Sequence, residues 1–351
     1  MIMNDIWARR ILSREELSRR EIQEACCMLL DEKSALEMKA KFLRELHRRG
    51  ETPREIALFA EVLLEQSVNP IPAAIRHSSI LLDVCGTGGD RLGLFNVSTA
   101  VMFVAAACGA LVVKIGNRGF TSRSGGADVL EALGVNISMP AKRVPVVLES
   151  TGCVFLFAAA YYPAFRAVAT VRHLLSKENI PTVFNFLGPL LNPARPNYQL
   201  VGVFDPLLIE NYAYILGLLG RKAAWVVCGN IESSDKVMDE VSIAGQTMVC
   251  TFQQDGGKRI FQLSPHYFGI ATARLNDLLG GNATENARIL LDILRGSDCG
   301  PRRNMVLANA AAALCVCKIA TNLLHGAELA SEAIDSGEAF LRLQRLIRLS
   351  H

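Results

Sequence analysis

The chain has 351 residues, half of them hydrophobic and 20% charged, with a formal net charge of +3. So much apolar surface excludes intrinsic disorder and supplies a large core, and so small a basic excess argues against a nucleic-acid partner. The longest apolar run, residues 100–113, is broken by Gly109 and is shorter than the roughly 20 residues of a membrane span, so no membrane partner is expected.

Charge is concentrated at the front: 25 of the first 66 residues are charged, against 46 of the remaining 285. This predicts a small helical unit with a wetted outer face, followed by a region that buries both sides of a sheet. Thr52-Pro53-Arg54-Glu55 has the form of a capping box with proline at the first helical position. Ile56, Phe59, Ala60 and Leu63 then recur at helical spacing up to a hinge at Asn69-Pro70-Ile71-Pro72. From residue 80 the pattern changes to short apolar strands at 80–85, 111–115, 154–158, 198–204 and 223–228. Between them lie helices at 98–108, 126–133 and 207–219. Such alternation predicts a mostly parallel sheet with helices on both faces. The Ala-rich stretch 309–320 reads as a buried helix. Ten cysteines, several within apolar runs, include no CxxC pair, and the first ten residues lack a signal-peptide core, so a reducing, cytoplasmic setting is expected.

Parallel α/β sheets place ligands at the carboxyl ends of their strands. The strand at 80–85 runs into Gly86-Thr87-Gly88-Gly89-Asp90, glycines that either make a tight turn or let backbone N–H groups approach an anion. Asn96-Val97-Ser98-Thr99 opens an apolar helix, where hydroxyls cap the helix or bind phosphate and magnesium. Lys114-Ile115-Gly116-Asn117-Arg118 and Thr121 to Gly126 gather two loop cations, Arg118 and Arg123, an amide and three hydroxyls in one stretch. Such a set is costly to order without an anion. A fourth strand end leads to Asp235 and to Asp239-Glu240, acids that are either solvated or hold magnesium on a polyphosphate.

These motifs, with residues 124–134 (SGGADVLEALG), 184–193 (FNFLGPLLNP), Asn286-Ala287 and Asn309-Ala310-Ala311, resemble the anthranilate phosphoribosyltransferase family in order from about Ile80 to Ile347. The resemblance implies an α/β fold: a small N-terminal helical lobe plus a larger lobe with a mostly parallel central sheet flanked by helices. The expected domains are 1–72, completed by a helical insertion around 163–195, and 73–351, with a homodimer formed through the helical lobes. The implied partners are phosphoribosyl diphosphate (PRPP) and an aromatic acceptor, with Mg2+ as cofactor. Carried over by position, Gly86, Gly88, Gly89, Asp90, Asn96, Ser98, Thr99, Lys114, Asn117 and Ser122 would bind PRPP. Ser98, Asp239 and Glu240 would hold the metal. Gly86, Asn117, Tyr162, Arg172, Gly188 and Pro189 would line the anthranilate side.

The departures fall on that side: the family's usual histidines are replaced by Ile115 and, in Tyr161-Tyr162-Pro163, by Tyr162. Two alternatives follow, a phosphoribosyltransferase for a different aromatic acid or amine, and a non-catalytic nucleic-acid-binding relative.

Overall fold

The computed structural model describes residues 10–11, 13–119 and 123–351. The chain divides into two compact units, one made of the residues up to Val68 with Ala159–Pro193, the other of Asn69–Ala158 with Ala194–His351.

The first unit is helical, with helices Arg19–Leu30, Leu36–Arg49, Pro53–Glu65 and, from the second segment, Arg166–Lys177. Amphipathic spacing turns Ile22, Leu29, Phe42, Leu43, Leu46, Phe59 and Leu63 into its core. The two segments are joined by polar contacts: the Lys39 Nζ donates to the Ala167 carbonyl at 2.9 Å, and Arg44 grips Glu178 at 2.7 Å. The expected capping box is present. Glu55 N donates to Thr52 Oγ1 at 3.2 Å, and Thr52 N donates to Glu55 Oε2 at 3.0 Å. Glu55 does more than cap: it is wholly buried, accepts the Leu17 N–H at 2.8 Å and pairs with Arg49, itself almost fully enclosed. Removing one partner of a buried pair leaves the other desolvated. Glu55→Gln is therefore expected to destabilise the fold by about 3 kcal/mol, measured as a drop of several degrees in Tm; an unchanged Tm would contradict this role.

The second unit is built on a sheet of strands β1 (Leu81–Gly86), β2 (Leu111–Gly116), β3 (Cys153–Phe157), β4 (Tyr198–Gly202), β5 (Ala223–Asn230), β6 (Val237–Met238), β7 (Thr247–Gln253) and β8 (Gly257–Leu263). Their order across the sheet is β3-β2-β1-β4-β5-β7-β8, with the short β6 paired to β5. β1 to β5 are mutually parallel, as their continuous apolar character requires. The five expected strands are present, with ends shifted by a residue or two. The β7–β8 hairpin extends the sheet antiparallel beyond them. The helix Val97–Ala107 and the helix Pro301–Val316 are buried along most of their length.

One polar line crosses this core. Arg221 Nε donates to Gln199 Oε1 at 2.8 Å, and Gln199 Nε2 donates to Asp83 Oδ2 at 3.3 Å, all three residues being at most 2% exposed. Such a chain tolerates burial because each charge meets an oppositely polarised partner.

Candidate active site

The carboxyl ends of β1, β2, β4 and β5 carry glycine or a short polar turn, and Asp90, Lys114, Asp239 and Glu240 lie there. The segment after β6 lays Asp239 and Glu240 across three of those ends. A side chain on Gly86 would overlap the Asp239 carboxylate, one on Gly202 the Asp239 carbonyl, and one on Gly229 would stand 2.6 Å from the Glu240 carbonyl. These three glycines are needed because another backbone passes over them. Asn309, buried in the helix Pro301–Val316, holds the next residue on both sides: Val241 N donates to its Oδ1 at 2.8 Å, and its Nδ2 donates to the Val241 carbonyl at 2.9 Å.

The Gly86–Asp90 loop meets this segment. Gly88 and Gly89 have φ of +68° and +96°, which glycine adopts without strain. Gly88 N donates to Asp239 Oδ2 at 2.6 Å. Burial, then the charge of Asp90, pushes the Asp239 carboxyl up to about 7. Glu240 is raised well above the usual carboxylate range by burial and by Asp239, against the pull of Lys114 and the Ser98 N–H. As whole residues, both are intermediate in exposure.

Lys114, 4% exposed, donates from Nζ to the Val84 carbonyl at 2.6 Å and to Ser98 Oγ at 3.0 Å. Its third N–H remains for an anion. Ser98 stands in the first turn of the helix Val97–Ala107, where Asn96 makes no side-chain cap bond. The first amides are already engaged: Val97 N donates to the Phe95 carbonyl at 2.8 Å, Thr99 N to the Asn96 carbonyl at 3.2 Å and Ser98 N to Glu240. The Thr99 hydroxyl is buried there without a hydrogen-bond partner among the described residues. Lys114, Ser98, Asp239, Glu240 and Asp90 thus converge at the strand ends.

Closely set carboxylates that resist ionisation fit a divalent cation. The donor set is all oxygen, Asp239, Glu240 and the Ser98 hydroxyl, which is the chemistry of magnesium rather than of softer metals.

Other expectations fare differently. Asn96 already accepts from Asn286 Nδ2 at 2.8 Å and from Ser124 Oγ at 3.2 Å, so Asn286 and Ser124 set its orientation. Arg118 is not a loop cation awaiting an anion. It pairs with Asp128 at 3.3 Å and with Glu131, and stacks over Phe157 at 5.6 Å. The neighbouring helix supplies the counter-charges that ordering it requires. Asn117 Oδ1 accepts the Arg118 N–H at 2.9 Å, and Ser122 lies outside the described residues.

In the helical unit, a run of aromatic contacts links the expected acceptor residues. The Tyr162 ring stacks on Phe165 with centroids 5.0 Å apart, Phe165 meets Phe184 edge-on at 5.7 Å, and the Arg172 guanidinium lies 5.5 Å from the Phe184 ring. Tyr162 is not an open wall: it is 6% exposed and its hydroxyl donates to the Leu191 carbonyl at 2.8 Å, just beyond the Gly188–Leu190 turn. Arg172 has no acidic partner within ion-pair distance among the described residues, and burial pulls its pKa down. A half-buried cation over an aromatic ring without a protein carboxylate suits an aromatic carboxylate. Gly188 opens onto free space and Pro189 is buried.

Residues 78–340 match the model of the glycosyl transferase family, a/b domain. The anthranilate phosphoribosyltransferase of Petrotoga mobilis is 39% identical over 349 residues, covering 99% of this chain and 97% of that one. That of Methanocorpusculum labreanum is 42% identical over 309 residues, covering 88% and 87%. Among solved structures, the anthranilate phosphoribosyltransferase of Thermus thermophilus superposes with a TM-score of 0.86 at 36% identity, covering 98% of this chain and 99% of that chain. The enzyme of Saccharomyces cerevisiae in complex with PRPP and Mg gives 0.84 at 28% identity, covering 98% and 96%.

Proposed function

The chain belongs to the anthranilate phosphoribosyltransferase family, and from that premise we propose that it transfers the 5-phosphoribosyl group of PRPP to the amine of anthranilate, releasing diphosphate. The observation that carries this reading is the convergence of Lys114, Ser98, Asp239 and Glu240 at the sheet's carboxyl ends. A polyphosphate is the substrate such a set suits.

In the reaction a bond forms between the anthranilate nitrogen and the anomeric carbon, the bond from that carbon to diphosphate oxygen breaks, and the amine proton passes to solvent. Positive charge builds on the ribose and negative charge on the departing diphosphate. Lys114, fixed by Val84 and Ser98, would direct its remaining N–H at that leaving group, where a preorganised cation acts without reorganising. The Thr99 hydroxyl would take a further phosphate oxygen. Gly86, Gly88, Gly89 and Asp90 would border the ribose and diphosphate, with Asn96, Asn117 and Ser122 completing the donor set. Ser98, Asp239 and Glu240 would hold Mg2+, which when bound supplies charge neutralisation of the diphosphate. Within the helical unit, Arg172 would pair the anthranilate carboxylate, with Gly188 and Pro189 as further acceptor residues and Tyr162 securing their turn. Asn117 is an acceptor residue that the resemblance implies. A neutral aromatic amine needs little activation, so no histidine base is required. The resemblance further supports a homodimer through the helical units.

Mixing the protein with PRPP, Mg2+ and anthranilate should consume anthranilate fluorescence, and chelating the metal should stop it; no turnover at millimolar substrate would sink the assignment. A second reading, transfer to a different aromatic acid, is favoured by the buried Ile115 and by Tyr162, whose hydroxyl is committed to Leu191. A panel of aromatic acids decides, and a preference for anthranilate removes it.

Arg172→Ala should raise the anthranilate KM roughly 10- to 100-fold, the loss of charge-assisted hydrogen bonds of about 1.5–3 kcal/mol. The PRPP KM should stay within about twofold. An equal rise in both constants would refute the assignment of Arg172 to the acceptor.

A further inference from the structure

A cavity of about 780 Å3 opens in the α/β unit on a part of the sheet away from the Asp239-Glu240 segment. Trp225 on β5, Phe261 on β8, Tyr267, Lys318, Asn322 and Leu324 contribute to its lining. Trp225 is the third residue of β5 and Gly229, beneath Glu240, the seventh, so the cavity begins about 13 Å upstream along the strand. It shares no residue with the phosphate-binding cluster.

Its walls are aromatic. Trp225 and Phe261 meet edge-to-face with centroids 5.8 Å apart, and Tyr267 is held in place by stacking on His266 at 4.5 Å. The polar groups around it include the donors of Trp225, Tyr267 and Lys318, beside Thr321 and Asn322, which also accept. The Trp225 indole, the Tyr267 hydroxyl and the Lys318 ammonium make no side-chain hydrogen bond or ion pair among the described residues, and no acid is found in the lining. Register places a further cation on the same sheet face, outside the lining. Arg259 is opposite Thr251, and Thr251 is opposite Trp225, so Arg259, Trp225 and Phe261 share one face of the sheet. The helix Leu323–Asp335 begins at the rim with Asn322 as its N-cap, adding the favourable end of a helix dipole.

Flat aromatic walls with donors, the Lys318 cation and no negatively charged group are complementary to one class of ligand. We propose that this cavity is a second binding site for a flat aromatic carboxylate, its ring against Trp225 and Phe261 and its carboxylate towards Lys318. The site would be separate from the donor site, because the cavity holds none of the groups proposed to bind PRPP.

The chain's two tryptophans are Trp7 and Trp225, so a Trp7→Phe protein reports on this cavity alone. Titrating that full-length protein with benzoate should change Trp225 emission saturably, at submillimolar concentration. Lys318→Gln, an exposed position, should weaken binding about tenfold or more and leave turnover in the absence of benzoate unchanged. Arg172→Ala should leave benzoate binding unchanged, which separates this site from the anthranilate side. Cyclohexanecarboxylate, lacking the aromatic face, and zwitterionic phenylalanine, whose ammonium finds no acid in the lining, should each bind about tenfold more weakly. No saturable change at millimolar benzoate, binding lost with Arg172 rather than Lys318, or equal affinity for cyclohexanecarboxylate or phenylalanine would each overturn the proposal.

Discussion

Lys114→Met is expected to lower kcat/KM for PRPP about a thousandfold, the upper range for removing one preorganised charge from a developing anion. Lys114 sits fourth in β2, where it buries its stem and reaches the Val84 carbonyl and Ser98 Oγ. Methionine matches the stem in length and removes only the ammonium, so the strand should remain in place. Glu240 feels the change as well, because Lys114 is among the influences that favour its ionised form. Losing the lysine should therefore weaken Mg2+ activation as well as PRPP use, while the anthranilate KM changes little. Steady-state kinetics with each substrate varied in turn, beside a Tm, would show this. A loss below about tenfold would mean that Lys114 is a structural lysine and that other groups stabilise the diphosphate.

Gly202→Ala should act on the same chemistry through shape alone. The added methyl would fall inside the Asp239 carbonyl, a backbone group that cannot rotate away. Either β4 or the Asp239-Glu240 segment must shift. Overpacking of this kind costs about 1–3 kcal/mol, and Asn309 resists the shift by holding Val241 at both its N–H and its carbonyl. The expected result is a Tm lower by several degrees, with the Mg2+ concentration for half-activation raised about tenfold or more. Unchanged metal dependence would show that the acids do not depend on their seating over β4.

Much of the α/β unit was legible because its causes are local. β1 to β5 are apolar on both faces, and only a parallel sheet covered twice gives strands that composition. Thr52 and Glu55 announce a helix start within four residues. The β7–β8 hairpin did leave a signal, seven residues on each side of a turn containing Asp255-Gly256, but its mixed polarity is weaker than that of the buried strands.

The site was legible as loops and not as geometry. Gly86 reads as a phosphate-loop glycine, yet what forbids a side chain there is the Asp239 carboxylate, 153 positions further along the chain. Gly202, Asn286 and Asn309 act through partners remote in sequence, so spacing alone could not single them out. Arg118 shows the converse: its charge suggested a ligand, but Asp128 and Glu131 on the next helix already answer it. Asp83, Gln199 and Arg221 look like surface residues until the sheet aligns them.

The helical unit is assembled from two stretches of chain separated by residues 69–158. On a ribosome adding roughly 5–20 residues per second, the first three helices emerge several seconds before Arg166–Lys177 is made. Until then the Lys39 ammonium has no Ala167 carbonyl to meet, and Arg44 has no Glu178. Nascent chains of this protein therefore pass through an interval in which half of a hydrophobic core waits uncovered. That delay makes its early helices natural clients for a chaperone, and it places the rate of translation among the determinants of how much active protein is produced.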